Sequence, residues 1–381
     1  MTIAMLFSSI PGLLETKAKI INAIQNNHLA HALVFHGKEG SANLSMAIAL
    51  ATYINCSNQG AEDACGKCSS CLKMEKLVHP DVNFIMPVSS SKKSKNDDDE
   101  EDSVDFLSSW RSFVLQNPYG NFQDWDYHLG INRPLAISKS VAKHIIKTIS
   151  LKSFEGGYKM MLIWAPETMN PYSANAILKV LEEPPAKTLF LLVTQQPERL
   201  LTTILSRTQK IHVRSFTDEE VQNFLIEKDL SSALAAQQIA PMADGNLREA
   251  ILLSQNTADK NTLIFRDWLR NCYSVKIQEL VSFADQITTY SKEGQRSLLL
   301  TGINVIRESL LNRAQLAELM RTSDEDREFI VKFSNAVLND DKLTKIYSAL
   351  NEAHYHIERN ANPKILFLDL GFNLAKIIKA Q

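Results

Sequence analysis

The chain has 381 residues, 45% of them hydrophobic, enough for two or three domains with cores of their own. Its formal charge of −2 lacks the basic excess of a protein that grips DNA alone, and no apolar run is long enough to span a bilayer. The opening MTIAMLFSSIPGLLE has no charged n-region, apolar core and small-residue cleavage site, so a soluble protein of a reducing cytoplasm is expected.

The first two hundred residues alternate short β-rich runs with helical patterns, which predicts an α/β parallel sheet. Strands are expected at Ala32–His36, Val82–Met86, Met160–Trp164, Leu189–Thr194 and Ile211–Val213. The runs are mostly continuous and apolar, as strands covered by helices on both faces require. The first runs into Gly37-Lys38-Glu39-Gly40-Ser41-Ala42-Asn43-Leu44, ahead of a helical pattern through Met46, Leu50 and Tyr53. This is the place of a phosphate loop, G-x-x-x-x-G-K-[ST], whose lysine reaches the β/γ oxygens and whose hydroxyl holds Mg²⁺. Ala42 replaces the second glycine, Asn43 the lysine and Leu44 the hydroxyl. On its own the segment reads as an ordinary glycine turn.

Cys56, Cys65, Cys68 and Cys71 follow with the spacing C-x8-C-x2-C-x2-C. A C-x2-C turn points two thiolates at one centre and a tetrahedral ion needs four, so zinc is the expected ligand. Disulfides are disfavoured in a reducing compartment, and no cysteine shortly after Cys71 completes an iron–sulfur pattern. Four thiolates leave no open position, so the zinc role is structural. Cys272 stands alone in an apolar helical stretch, as a core residue does.

Between the second and third strands lies the tract SSSKKSKNDDDEED, Ser89–Asp102, whose composition favours a solvated loop. The segment to about Asn132, carrying Phe106, Trp110, Phe113, Tyr119 and Trp125, has enough aromatic surface to pack and reads as an insertion (89–132) decorating the sheet. The third strand runs into Ala165-Pro166-Glu167-Thr168-Met169. The Asp that holds Mg²⁺ in an active ATPase is missing there, so hydrolysis by this chain is not expected. Next, Asn170–Glu183 sets Ile177, Leu178 and Leu181 on one helical face and stops at Pro184-Pro185. After the fourth strand comes Thr203-Ile204-Leu205-Ser206-Arg207-Thr208.

A capping box, Thr217-Asp218-Glu219-Glu220, opens a second module. Helical stripes follow, Leu299, Ile303, Ile306 and Leu310 in one and Phe367, Leu370, Leu374 and Ile377 in another. Asn362-Pro363 is a cap and first-turn proline for the last helix.

NAILKVLEEPP, the strand ending in Thr194, TILSR, HALVFHGKEG before the degenerate loop, the four cysteines after it, and GNLREA at Gly245–Ala250 occur together in one order. That order strongly resembles the bacterial DNA polymerase III clamp loader family of AAA+ proteins over nearly the whole chain. Loss of the loop lysine and the acids, with retention of the cysteines and of an SRC-type motif, resembles its delta prime branch. Thr208 departs from the usual Cys of that motif, while Arg207 remains.

The resemblance implies an AAA+ α/β domain over 1–216 with a zinc module at 56–71, a helical lid over 217–255 and a helical collar over 256–381. It implies that Arg207 acts as an arginine finger in trans on ATP bound by a neighbouring subunit. Thr194 and Arg248 stand at the two sensor positions and are expected to be vestigial beside the loop Gly37, Gly40, Asn43, Leu44, with no productive ATP binding. Implied partners are the loader's ATPase subunits and delta subunit, the sliding clamp, and primer-template DNA through the assembly, with no membrane. Two alternatives stay open: an ATPase (gamma/tau-like) subunit of the same loader, and a free-standing zinc-dependent nucleic-acid-binding protein. The second asks for a basic face around the cysteines, where Lys67 and Lys73 are accompanied by Glu62, Asp63 and Glu75.

Overall fold

The computed structural model describes residues 6–89, 106–131, 133–255, 258–290, 292–316, 320, 324–336, 339–359 and 361–379. The chain forms two compact units, one of Met1–Phe216 with Gly245–Arg248, the other of Thr217–Asp244 with Glu249–Gln381.

The first unit is built on five parallel strands, β1 (Ala32–His36), β2 (Val82–Ile85), β3 (Lys159–Trp164), β4 (Thr188–Thr194) and β5 (Gln209–His212), in the order β2-β3-β4-β1-β5. The inner strands β3 and β4 are buried at every position, which is why their sequences are continuous apolar runs. Edge strand β5 exposes Gln209, Lys210 and His212. Its pairing therefore begins two residues before the apolar Ile211–Val213 that marked it in sequence, and Val213 N–H still donates to the His36 carbonyl at 2.8 Å.

Helices α1 (Leu14–Gln25), α2 (Asn43–Asn55) and α3 (Ser69–Glu75) precede β2. The connection from β2 to β3 holds α4 (Leu107–Gln116), α5 (Phe122–Leu129) and α6 (Lys139–Ser150); α7 (Pro171–Glu182) leads to β4, and the short α8 (Thr202–Leu205) to β5. Val141 and Ile145 of α6 and Ile177 and Leu181 of α7 pack on Val34, Met161, Ile163, Phe190 and Leu192 of one sheet face. Leu33, Phe35, Leu162 and Leu191 point the other way in the pleat and are equally buried, with α2 lying against β1, β3 and β4. The Asn170 side chain caps α7 by accepting from Ser173 N–H at 2.8 Å, and the helix stops ahead of Pro184.

The aromatic part of the insertion does not merely decorate the sheet. Trp110, Phe113 and Trp125 are all 0% exposed, and the Trp110 ring lies 5.0 Å from that of Trp164 at the end of β3 and 5.4 Å, edge-on, from Trp125. So much aromatic surface has to be buried, and the strand ends offer the place. Except for Ser89, the Ser89–Asp102 tract lies outside the described residues.

In the second unit, α9 (Asp218–Glu227) is opened by the reciprocal capping box of Thr217 and Glu220, at 3.2 and 2.9 Å. The further helices are α10 (Ala233–Ala243), α11 (Leu247–Gln255, whose first two residues belong to the first unit), α12 (Ala258–Ser274), α13 (Ile277–Ile287), α14 (Lys292–Arg313), α15 (Asp324–Ala336), α16 (Asp340–Glu358) and α17 (Pro363–Lys379). Their core joins Phe265 and Trp268 to Leu299, Ile306, Leu350, Phe367 and Leu374, with Ile303, Leu310 and Ile377 half-buried at its margin. Cys272 lies in this core, and burial pushes its thiol up to about 12. Among the described residues no helix is long and apolar enough to cross a membrane.

Candidate functional site

The four predicted cysteines converge. Cys56 ends α2, Cys68 is the N-cap of α3 and Cys71 lies in the first turn of that helix, so two helix ends and the intervening loop aim four sulfurs at one point. All four lie within 4.8 Å of one another, with Sγ–Sγ distances of 4.0 Å for Cys65–Cys71 and 3.9 Å for Cys68–Cys56. Disulfide bonding needs about 2.05 Å, so no pair is bonded. Four thiolates about 2.3 Å from one tetrahedral ion stand about 3.8 Å apart, so this set can hold a single metal ion. Backbone N–H groups already point at the sulfurs, from Asn58 and Cys65 to Cys56 (3.4 and 3.3 Å) and from Lys67 and Cys68 to Cys65 (3.4 and 3.3 Å). The donors from Lys67 and Cys68 hold the Cys65 thiol below its ordinary range. Such donors favour the anionic sulfur that a metal requires, while burial works against it and raises the Cys56 and Cys71 thiols.

The degenerate loop leaves the C-terminal end of β1 beside that of β4, where open α/β sheets bind ligands. Its glycines answer to internal packing. A Cβ on Gly37 would lie 2.1 Å from the Val213 carbonyl oxygen, and Gly40 combines φ +70° with an Asn246 Oδ1 that a Cβ would meet at 1.8 Å. Asn43, buried where a lysine would reach for phosphate, donates to the carbonyls of Gly37 and Thr194 at 3.3 and 3.4 Å. Thr194 Oγ1 donates to Glu167 Oε2 at 2.8 Å and accepts from Gln196 N–H at 2.9 Å. Burial raises the Glu167 carboxyl above its ordinary 4.5, a direction opposite to that of a metal-binding acid.

The insertion closes this cleft. Pro118, Tyr119, Gly120 and Phe122 line it together with Asn43, Trp164, Glu167 and Thr194, leaving a cavity of about 20 Å³. That volume is on the scale of one water, against the hundreds of Å³ of a typical small-molecule site. Arg248, in the same unit and 9% exposed, donates from Nε and Nη2 to the two carboxylate oxygens of Asp124 at 2.5 Å each, and Asp124 follows the cleft-lining Phe122 by two residues. Glu39 Oε1 is 3.4 Å from Arg248 Nη1 and accepts from Asn121 Nδ2 at 2.7 Å. The sequence reading missed Asp124 and Glu39. The signal for Asp124 was present as N-x-x-D at Asn121–Asp124, a capping box that starts α5 with a carboxylate in its first turn.

Arg207 lies elsewhere on the unit, just after α8. Its Nη1 donates to the Thr203 carbonyl at 2.9 Å and to Ser206 Oγ at 3.2 Å, while Nε and Nη2 are bonded to Glu182 at the end of α7. His31, Leu181, Glu182, Ser206 and Arg207 border an open cleft of about 420 Å³, so the guanidinium faces space that the chain does not fill. Glu182 is a third residue the sequence reading did not single out, though it stands in the LEEPP run.

A parallel sheet in the order β2-β3-β4-β1-β5, with a glycine loop after β1 at the strand ends and a helical second unit, defines an α/β module of the AAA+ type. The profile of the family described as DNA polymerase III, delta subunit matches residues 14–217, more than half of the chain, and the chain belongs to that family. It is 29% identical over 237 residues to DNA polymerase III subunit delta' of Bacillus subtilis, covering 62% of this chain and 57% of that protein. It is 27% identical over 189 residues to subunit delta' of Escherichia coli (50% and 44% covered), and 26% identical over 253 residues to subunit tau of the same organism (65% and 32%). The matched region thus spans about half the length of the delta' relatives.

Proposed function

We propose that this chain is a non-hydrolysing, delta prime-type subunit of a replicative clamp loader. It serves as the fixed, stator-like member of a ring of related subunits that loads the sliding clamp onto primed DNA. Its partners are the loader's ATPase subunits and delta subunit, with the clamp and primer-template DNA reached through the assembly. The observation that carries this reading is the contrast between two clefts. The chain's own strand-end cleft is filled down to about 20 Å³, while Arg207 faces an open cleft of about 420 Å³.

Arg207 is assigned to the neighbouring subunit's ATP, where its planar fork bridges γ-phosphate oxygens as charge builds in the transition state. Glu182 keeps the guanidinium oriented until phosphate replaces it. The sequence similarity to tau subunits fits a common module. The ATPase alternative is disfavoured by Asn43, which stands at the lysine position and whose Nδ2 donates to the Gly37 and Thr194 carbonyls. The four cysteines are assigned to Zn²⁺, which would supply a closed tetrahedral crosslink between α2 and α3 and no catalysis.

The test is a loader reconstituted with Arg207→Lys. Lysine keeps the charge but loses the fork, so clamp- and DNA-stimulated ATPase activity should fall at least tenfold at equal assembly. Unchanged activity would remove the finger assignment.

A further inference from the structure

We propose that the segment 106–131 is a built-in occupant of the vestigial nucleotide cleft, with the Asp124 carboxylate as its resident anion in the fork of Arg248. The inference rests on the reading of this chain as a non-hydrolysing subunit and gives it a physical cause.

Three independent features place the segment inside the cleft. Its aromatic side chains fill volume: Phe122 stacks on Trp164 at 6.4 Å and 22°, and Tyr119 is buried at the cleft wall. Its backbone is bonded to the helix that a phosphate loop would serve, with Ser45 Oγ donating to the Pro118 carbonyl at 3.0 Å. Its charge completes the electrostatics, because Arg248 is nearly buried and a guanidinium there needs an anion. A bidentate carboxylate is the anion that protein chemistry offers in place of a phosphate group, and Asp124 presents both oxygens at 2.5 Å.

The anion is held rigidly. Asp124 Oδ2 also accepts from Asn121 N–H at 2.9 Å, and Asn121 Oδ1 accepts from Asp124 N–H at 2.8 Å, so the capping box that starts α5 fixes the carboxylate. Trp125, the next residue, is anchored by its Nε1 donating to the Pro87 carbonyl at 2.8 Å. The cleft is therefore closed without nucleotide, which suits a subunit that holds one conformation while its neighbours cycle.

The test uses the full chain, with thermal unfolding as readout and inorganic pyrophosphate as probe, against sodium chloride at matched ionic strength. Wild type should show no saturable shift with pyrophosphate. Asp124→Asn keeps the cap acceptor and the volume but removes the charge; it should lower Tm by about 3–6 °C, and pyrophosphate, which finds no room beside the amide, should not recover it. Asp126→Asn, an exposed change on the same helix, should do neither. Saturable stabilisation of wild type by pyrophosphate, or an unchanged Tm for Asp124→Asn, would each overturn the proposal. Should Asp124→Asn fail to fold, hydrogen exchange of wild type decides: the amides of residues 125–129 should be as protected as those of β3, and loop-like exchange overturns the inference. Tight binding of fluorescent ATP by wild type would instead refute the non-hydrolysing reading on which the inference rests. Silence toward ATP with an unchanged Tm for Asp124→Asn would refute the resident anion alone.

Discussion

Two tryptophans of the insertion are equally buried, in edge-to-face contact, and differ in one respect. Trp125 Nε1 donates to the Pro87 carbonyl at 2.8 Å, whereas Trp110 Nε1 has no hydrogen-bond partner among the described residues. Replacing either by Phe removes the same pyrrole edge, a packing loss on the order of 1–2 kcal/mol. Trp125→Phe also loses a net hydrogen bond of about 1 kcal/mol and leaves a carbonyl behind, while Trp110→Phe recovers about 1–3 kcal/mol of desolvation spent on an unpaired N–H. Trp125→Phe should therefore be the less stable by about 2 kcal/mol or more, with Trp110→Phe near wild type. The assay is urea unfolding followed by fluorescence, to which three of the four tryptophans, 110, 125 and 164, contribute from this cluster. Trp110→Ala should cost about 3–5 kcal/mol, and the exposed Tyr127→Ala less than about 0.5. Equal stability of the two Phe variants would refute the pairing argument; a Trp110→Ala cost below about 1 kcal/mol would return the insertion to a decoration.

The purified chain should contain one tightly bound zinc, and Cys65→Ser or a strong chelator should lower the thermal stability of the sheet-containing unit; metal-free protein of unchanged stability would refute the assignment. Glu167 gives a pH signature. Its folded value is raised, so the stability associated with its protonated form is present below about 4.5 and lost as pH rises through the folded value. Glu167→Gln should therefore match wild type near pH 4 and exceed it at pH 7, and a constant difference across that range would contradict the burial argument. Gly40→Ala should destabilise by more than about 1 kcal/mol, because its φ is +70° and Asn246 fills the space of a Cβ; a neutral outcome would show that the loop can yield.

The sheet was legible because strands covered on both faces must be apolar throughout, and β1 begins and ends where its sequence indicates. The edge strand β5 was displaced because half its surface faces water and its pairing residues are polar. The Thr217 capping box and the cysteine spacing were readable since each is a local geometry, written in four and in sixteen consecutive residues. What fills the cleft was not readable. Asp124 meets Arg248 across 124 positions of chain, and nothing in either local sequence names its partner. The same holds for Trp110 against Trp164, where composition announced that the aromatics would pack but not against what.

The most direct test of the central claim is single-turnover ATP hydrolysis by a reconstituted loader carrying Arg207→Ala, with nucleotide affinity measured separately and assembly shown to be equal. The account predicts a loss on the order of 10³ in the hydrolysis rate with nearly unchanged ATP affinity, since the fork acts on the transition state at a neighbour's site. A rate equal to wild type would contradict it and leave Arg207 as a partner of Glu182 alone.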